Sequence, residues 1–153
     1  MKNLQWGRSS SGADMYCIVC TIAFAILSVA DGVEWDCTAS TNTGTFTRSS
    51  DCTISGTGNT NDQGGGVNVT GTLEIVGSST DMDNLVTISA ASKKRHFYVD
   101  GANDKLVLRY VKLVGGDVSS YSWPDFYGGS ILIRDGEVQL YYCYLSNNRA
   151  YNG

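Results

Sequence analysis

The fold class is decided by residues 128–153, which read GGSILIRDGEVQLYYCYLSNNRAYNG. Short apolar segments alternate here with polar turns, at residues 131–133, 138–140 and 143–145. The turn Arg134-Asp135-Gly136 separates the first two segments, and Asn147 and Asn148 end the unit. Short strands separated by tight turns are typical of one coil in a stacked β-solenoid. We therefore expect this unit to be such a coil.

An earlier segment repeats the same layout. Residues 96–116 read HFYVDGANDKLVLRYVKLVGG, and their apolar positions align with those of the later unit: Phe97 and Val99 with Ile131 and Ile133, Leu106 and Leu108 with Val138 and Leu140, Val111 and Leu113 with Cys143 and Leu145. With residues 117–127 counted as an insertion, the repeat is about 20 to 25 residues long. Helical periodicity appears nowhere after residue 30. The sequence predicts an all-β parallel β-helix over residues 67–153, with about three to four coils.

The last coil has a consequence for assembly. A single coil buries too little apolar surface to fold alone, so coils must stack. A final coil with nothing on its outer side presents unpaired strand edges, and such edges pair with other chains. The sequence therefore predicts either a truncated piece of a longer solenoid or end-to-end self-association through the C-terminal coil.

The N-terminal segment is typical of a secretory signal peptide. Lys2 and Arg8 precede an uncharged apolar run of 16 residues, 15–30, and Ser28 and Ala30 place small residues where a signal peptidase reads them. The alternative is an uncleaved membrane anchor, but a spanning helix needs about 20 apolar residues. We expect residues 1–30 to be removed and the product to be secreted, extracellular or held at the cell surface.

Composition bounds the remaining classes. The chain has 153 residues and a net charge of −4, with no extended basic stripe, so nucleic acid is not an expected partner. Residues 31–66 are rich in Ser, Thr and Gly and predict an irregular start of the solenoid. Cys37 and Cys52 bracket a loop there and are expected to form a disulfide in an oxidising compartment. Cys143 is interpreted as a small buried core residue rather than a reactive thiol.

The two repeats resemble the right-handed parallel β-helix (pectin-lyase-like) superfamily, and within it the polymorphic outer membrane protein type of repeat. The resemblance covers residues 96–153 and rests on three features of the last unit: the entry Gly128-Gly129-Ser130-Ile131, the strand with Val138, Leu140 and Cys143, and the ending with Leu145, Asn148, Ala150 and Gly153. It implies that these residues shape turns and core, with the Asn148 amide turned toward the backbone of a tight bend. A further unit would follow Gly153 in that family.

Catalytic and metal-binding roles have few candidates. His96 is the one histidine, so any Ser-His-Asp or Cys-His arrangement must include it, yet no nucleophile is near it in sequence. Pairs of carboxylates that are able to straddle a glycosidic bond are Asp81/Asp83, Asp100/Asp104 and Asp135/Glu137. All of them lie in turn-like segments, where Asp is favoured for local reasons. We predict no catalytic site, no metal site and no cofactor.

Three surface features remain as contact candidates. The insertion carries Tyr121, Trp123, Phe126 and Tyr127, which offer a platform for sugar rings or a partner protein, although the favoured interpretation is that these rings fold back over the solenoid flank. The basic cluster at residues 93–96 is interpreted as a solvated turn rather than a contact for an anionic polysaccharide. Asn68 begins a glycosylation sequon with Val69 and Thr70.

The function expected from these residues is non-catalytic. We predict a secreted or cell-surface β-helix segment with an adhesion, binding or structural role, whose partners are an extracellular polysaccharide or a surface protein. The alternative is a fragment of a carbohydrate-active β-helix enzyme, a polysaccharide lyase or hydrolase.

Overall fold

The structure, a computed structural model, describes residues 32–56, 66–119 and 127–150, and the backbone of two further strands near the N-terminus. The protein is all-β, with thirteen short strands in this part of the chain: β1 Trp6–Arg8, β2 Met15–Cys17, β3 Gly44–Arg48, β4 Cys52–Thr53, β5 Val67–Asn68, β6 Thr72–Gly77, β7 Val86–Ser89, β8 Phe97–Val99, β9 Lys105–Arg109, β10 Val111–Val114, β11 Ile131–Ile133, β12 Glu137–Tyr141 and β13 Tyr144–Ser146. A single 3₁₀ turn, Met82–Asn84, is the one helical element among the described residues.

The strands stack into three sheets that the chain visits in turn. Sheet 1 has the order β11-β8-β5, sheet 2 the order β12-β9-β6-β3, and sheet 3 contains β13-β10-β7-β4. Every pairing within these sets is parallel. Each passage of the chain, such as β8, β9 and β10, therefore adds one strand to each sheet. This confirms an all-β fold of stacked parallel strands, an arrangement that is consistent with a β-helix.

The predicted alignment of the two repeats is the observed strand register. Phe97 pairs with Ile131, Leu106 with Val138, and Leu113 with Leu145. Because strand residues alternate between the two faces of a sheet, every second residue points inward and stacks on its equivalent in the next strand.

The inward residues form one apolar core. They are largely excluded from solvent, with Leu73, Ile75, Ile88, Phe97, Val99, Leu106, Leu108 and Leu113 all at 0% exposure. Cys143 is buried in the same cluster, as predicted, and its Sγ lies 3.4 Å from the carbonyl oxygens of Leu108 and Tyr141. At the turn after β13, Asn148 Oδ1 accepts from the Gly116 N–H at 2.8 Å, and its Nδ2 donates to Leu113 O at 3.2 Å. The expected asparagine contact with the backbone of the neighbouring strand is therefore present.

The parallel sheets extend into the segment whose composition predicts an irregular start. β3 pairs with β6 and β4 with β7, while isolated parallel bridges join Glu34 to Thr47 and Thr38 to Ser55. Trp35 is fully buried in the core, and its Nε1 donates to Thr41 O at 3.0 Å. The sequence does not predict these strands, because the segment has few apolar residues. The few that it has, such as Trp35 and Ile54, are enough to supply its core.

The outer edge of β13 is paired. β2 runs antiparallel to it, with Tyr144 opposite Tyr16 and Leu145 opposite Met15, and β1 runs antiparallel to β2. At the same end of the stack, among the described residues, β11 is the last strand of sheet 1 and β12 is the last strand of sheet 2. The remainder of the predicted signal peptide lies outside the described residues. In the described part of the chain, no helix is long and apolar enough to cross a membrane.

Candidate functional site

His96 is buried where three successive passages of the chain meet. It is fully excluded from solvent. Its Nε2 lies 3.1 Å from both Ile88 O, in β7, and Val114 O, in β10, while its Nδ1 lies 3.1 Å from Ser130 Oγ, just before β11. Carbonyl oxygens only accept, so the ring hydrogen is on Nε2 and the Ser130 hydroxyl donates to Nδ1. Both ring nitrogens are thus occupied in holding backbone segments together.

Burial holds this imidazole in its neutral form. Loss of solvation lowers the pKa of His96 to about 4, with the hydrogen bonds to Ile88 O and Val114 O opposing that shift. A serine, Ser130, does lie beside His96, although the sequence gives no sign of it, but both side chains are buried. A buried Ser-His pair with its second nitrogen bound to carbonyls has no room for a substrate, so we assign it a structural role.

The carboxylates of the turn between sheets 1 and 2 are bound to the local backbone. Asp104 accepts from the Gly71 N–H at 2.8 Å through Oδ1 and from the Gly101 N–H at 2.9 Å through Oδ2. Asp135 Oδ1 accepts from the Gly136 N–H at 2.8 Å. Asp104 thereby joins the turns of two adjacent passages, because Gly71 precedes β6 and Gly101 precedes β9.

Asp100 differs, since its partner is a side chain. Its Oδ2 accepts from the Tyr98 hydroxyl at 2.6 Å. Burial and this hydrogen bond to a carboxylate raise the pKa of Tyr98 to about 12. Asp100 and Asp104 are close in sequence but serve different partners.

The other predicted pairs have similar local roles. Asp81 caps the 3₁₀ turn, accepting from the Asp83 N–H at 3.0 Å and from Asn84 Nδ2 at 2.7 Å, and these hydrogen bonds lower the pKa of Asp81. Glu137 accepts from the Gln139 amide and forms an ion pair with Lys105 at 3.2 Å. Both contacts lower the pKa of Glu137, and the hydrogen bond from Gln139 has the larger effect. In the described ranges no three His, Cys, Asp or Glu side chains are grouped as metal ligands would be.

The predicted disulfide is present. Cys37 and Cys52 are bonded, joining the segment before β3 to β4. A bridge that closes a loop of this size stabilises a chain by about 3 kcal/mol in the chain-entropy model. The bond is therefore a major stabiliser of the part of the solenoid that has the fewest apolar residues.

The predicted contact loop is described only at its end. Tyr121, Trp123 and Phe126 lie outside the described residues, whereas Tyr127 is 41% exposed. Asn68 of the sequon lies on β5, half-buried, opposite Tyr98 of β8. The basic cluster is divided: Lys93 is exposed in a turn with φ +57°, but Arg95 and His96 are fully buried. The interpretation of residues 93–96 as a solvated turn is therefore wrong for Arg95 and His96.

Sequence reasoning missed a surface at the bend between sheets 2 and 3, which we name the aromatic corner. It consists of the side chains of Arg109, Tyr110, Lys112, Tyr141, Tyr142 and Tyr144. The rings of Tyr110 and Tyr142 stack with centroids 5.1 Å apart and planes 2° apart. The Arg109 guanidinium lies 4.0 Å from the Tyr141 ring centroid, and Lys112 Nζ lies 5.2 Å from that of Tyr144. The signal was the repeated Tyr, at positions 110 and 142 of the aligned repeats.

The two stacked tyrosines hold a strained backbone conformation. Tyr110 and Tyr142 both have φ +54°, in the left-handed region that glycine and asparagine adopt most readily. That conformation costs roughly 1–2 kcal/mol for each residue with a side chain, whereas an aromatic pair returns about 0.5–1.5 kcal/mol. The stack alone does not offset the strain.

Comparisons of this chain with protein-family models, with curated proteins and with solved structures found no match. The assignment of function therefore depends on the residues and their geometry.

Proposed function

We propose that this chain is a non-catalytic segment of a secreted or cell-surface protein, with an adhesion, binding or structural role. In this proposal the stacked sheets form a right-handed parallel β-helix of about three to four coils, of the pectin-lyase-like kind with polymorphic outer membrane protein repeats. The Cys37–Cys52 bond supports an oxidising, extracellular location, because disulfides persist there. Residues 1–30 act as the signal peptide, and their removal exposes the outer edge of β13.

One observation carries this proposal: several polar groups with the residue types for catalysis are held by backbone contacts or buried in the core. Asp104 binds two backbone N–H groups from adjacent passages, Asp81 caps a 3₁₀ turn, and His96 is buried with both nitrogens occupied. A general acid or nucleophile in a glycosidase must be able to reach the bond that it cleaves. Groups committed to backbone contacts are poorly suited to that task.

The proposal predicts that the purified chain cleaves no polysaccharide. Polygalacturonate, xylan and laminarin would be incubated with the protein, and both reducing ends and unsaturated products would be measured. We expect no product above that of a buffer blank. Cleavage that disappears in Asp100→Ala or Asp135→Ala would establish the competing hypothesis of a carbohydrate-active enzyme fragment.

A further inference from the structure

The aromatic corner is a half-buried surface with one exposed ring, and neighbouring side chains fix its shape. Tyr142 is 42% exposed, although part of its ring lies against Tyr110. Arg109, which lies against the ring of Tyr141, is itself held by a hydrogen bond from its Nε to Glu74 Oε1 at 2.9 Å. The rings therefore project from the bend in a set orientation, which reduces the entropy lost when a ligand is bound.

Backbone strain is a second, independent observation. The positions of Tyr110 and Tyr142 follow Arg109 and Tyr141, which are paired in register, so the two strained residues are equivalent in adjacent passages. Glycine at φ +54° would remove the strain, yet tyrosine stands at both places. Strained conformations cluster at active sites and at ligand contacts. The tyrosine rings at this bend are therefore candidates for a functional contact.

The polar groups beside the rings define the chemistry of a ligand. The Tyr141 hydroxyl donates to Gln139 Oε1 at 3.1 Å, and the amide of Gln139 contacts Glu137. Two of the nearby cations are ion-paired, Arg109 with Glu74 and Lys105 with Glu137. The surface therefore combines flat aromatic rings with amide and carboxylate hydrogen-bonding groups and little net charge. Pyranose rings match this pattern, since they have an apolar C–H face and a rim of hydroxyl groups.

We propose that the aromatic corner binds a neutral polysaccharide, with the exposed ring of Tyr142 stacking on one pyranose while Gln139 and Glu137, farther along β12, bond hydroxyl groups of neighbouring sugars in the chain. The C–H groups of the sugar are attracted to the electron-rich ring face. The surface is nearly balanced in charge, with the cations Arg109, Lys112 and Lys105 and the carboxylates Glu74 and Glu137. This balance favours a neutral chain over an acidic one, because an acidic chain would need an excess of cations. This inference rests on the proposed non-catalytic function and names its ligand class and contact surface.

The test compares two variants that differ in one respect. Tyr142→Gly removes the ring and relieves the strained φ, so its melting temperature should equal or exceed that of the wild type. Asn147→Gly makes the same backbone change at another residue with φ +54° in the same passage of the chain, but removes no ring. Binding of cellohexaose, xylohexaose, laminarihexaose, chitohexaose and hexagalacturonate to the full-length chain would be measured by NMR titration. We expect at least one neutral hexasaccharide to bind, Tyr142→Gly to weaken that binding at least tenfold, and Asn147→Gly to leave it unchanged.

Each contrary outcome has a separate meaning. If no neutral hexasaccharide binds, or if Tyr142→Gly binds as tightly as the wild type, the aromatic corner is not the binding surface and the inference is overturned. If hexagalacturonate alone binds, the assignment of a neutral ligand is wrong. Appearance of new reducing ends during the titration would instead contradict the non-catalytic function on which the inference rests.

Discussion

The unfolding free energy of the wild-type chain is expected to fall by about 3 kcal/mol between pH 7 and pH 4, relative to that of a His96→Gln variant. The imidazole of His96 is neutral and buried, with a pKa lowered to about 4, whereas an exposed histidine in the unfolded chain has a pKa of about 6.5. Below pH 6.5 the unfolded chain therefore takes up a proton that the folded chain does not. The contribution of His96 to the unfolding free energy is complete above pH 6.5 and declines as the pH falls toward 4. Below pH 4 this contribution changes no further.

The choice of variants isolates this effect. The glutamine introduced by His96→Gln retains an amide N–H that can donate toward Ile88 O or Val114 O, but it does not titrate. Among the described residues four carboxylates also have lowered pKa values: Asp36, Asp81, Asp117 and Glu137. Their contribution to stability is lost below about pH 4 in both chains, so it cancels in the comparison. Ser130→Ala keeps the imidazole and should keep the pH dependence, at a lower overall stability.

Urea unfolding followed by circular dichroism at several pH values gives the free energies, and the NMR signal of the His96 ring gives its pKa directly. A folded-state pKa near 6.5, together with parallel pH profiles for the wild type and His96→Gln, would show that His96 is exposed. The contact between β7, β10 and the entry to β11 would then be wrong.

Gly77→Ala is expected to destabilise the chain by at least about 3 kcal/mol, at the upper end of overpacking effects. Gly77 ends β6, and a Cβ added there would overlap the carbonyl oxygen of Tyr110 in the next passage of the chain. Since that neighbour is backbone, it cannot turn aside as a flexible side chain would. The two stacked passages would have to move apart, and the pairing of β6 with β9 would weaken along its length.

A matched glycine separates crowding from backbone strain. Gly115 has φ +79°, but a Cβ added there would meet no atom within 4 Å. Gly115→Ala should therefore cost only about 1 kcal/mol, from its conformation alone. Both free energies follow from urea unfolding. Equal losses for the two variants would mean that β6 and β9 do not approach as closely as the structure places them.

Much of the fold was predictable because the apolar positions of two repeats can be aligned. The alignment of Phe97 with Ile131 and of Leu106 with Val138 reproduces the strand register, since inward side chains in a stacked coil must superimpose. The strands of residues 44–53 escaped prediction for a physical reason. GTFTR has one large apolar residue, so β3 depends on pairing with β6 and on the Trp35 N–H, which donates to Thr47 O, rather than on its own sequence.

The sites were harder to predict than the fold. Ser130 and His96 are 34 residues apart and meet because β11 and β8, the strands that follow them, stack in register. The turn carboxylates were correctly suspected of local roles, but the contact of Asp104 with Gly71 joins two turns that no motif connects. The aromatic corner has a sequence signal, the tyrosines at aligned positions 110 and 142, whose meaning depends on a left-handed bend that sequence alone does not reveal.

The central claim is that successive passages of the chain stack as parallel strands in register, and NMR measures this most directly. Parallel and antiparallel pairs bring different backbone hydrogens together, with close Hα–Hα contacts across strands only in antiparallel pairs. Nuclear Overhauser contacts should link the backbone of Val107 to that of Glu74 on one side and Gln139 on the other, with no close Hα–Hα contacts between these strands. Strong Hα–Hα contacts between β9 and either neighbour, or contacts offset from this register, would contradict the account.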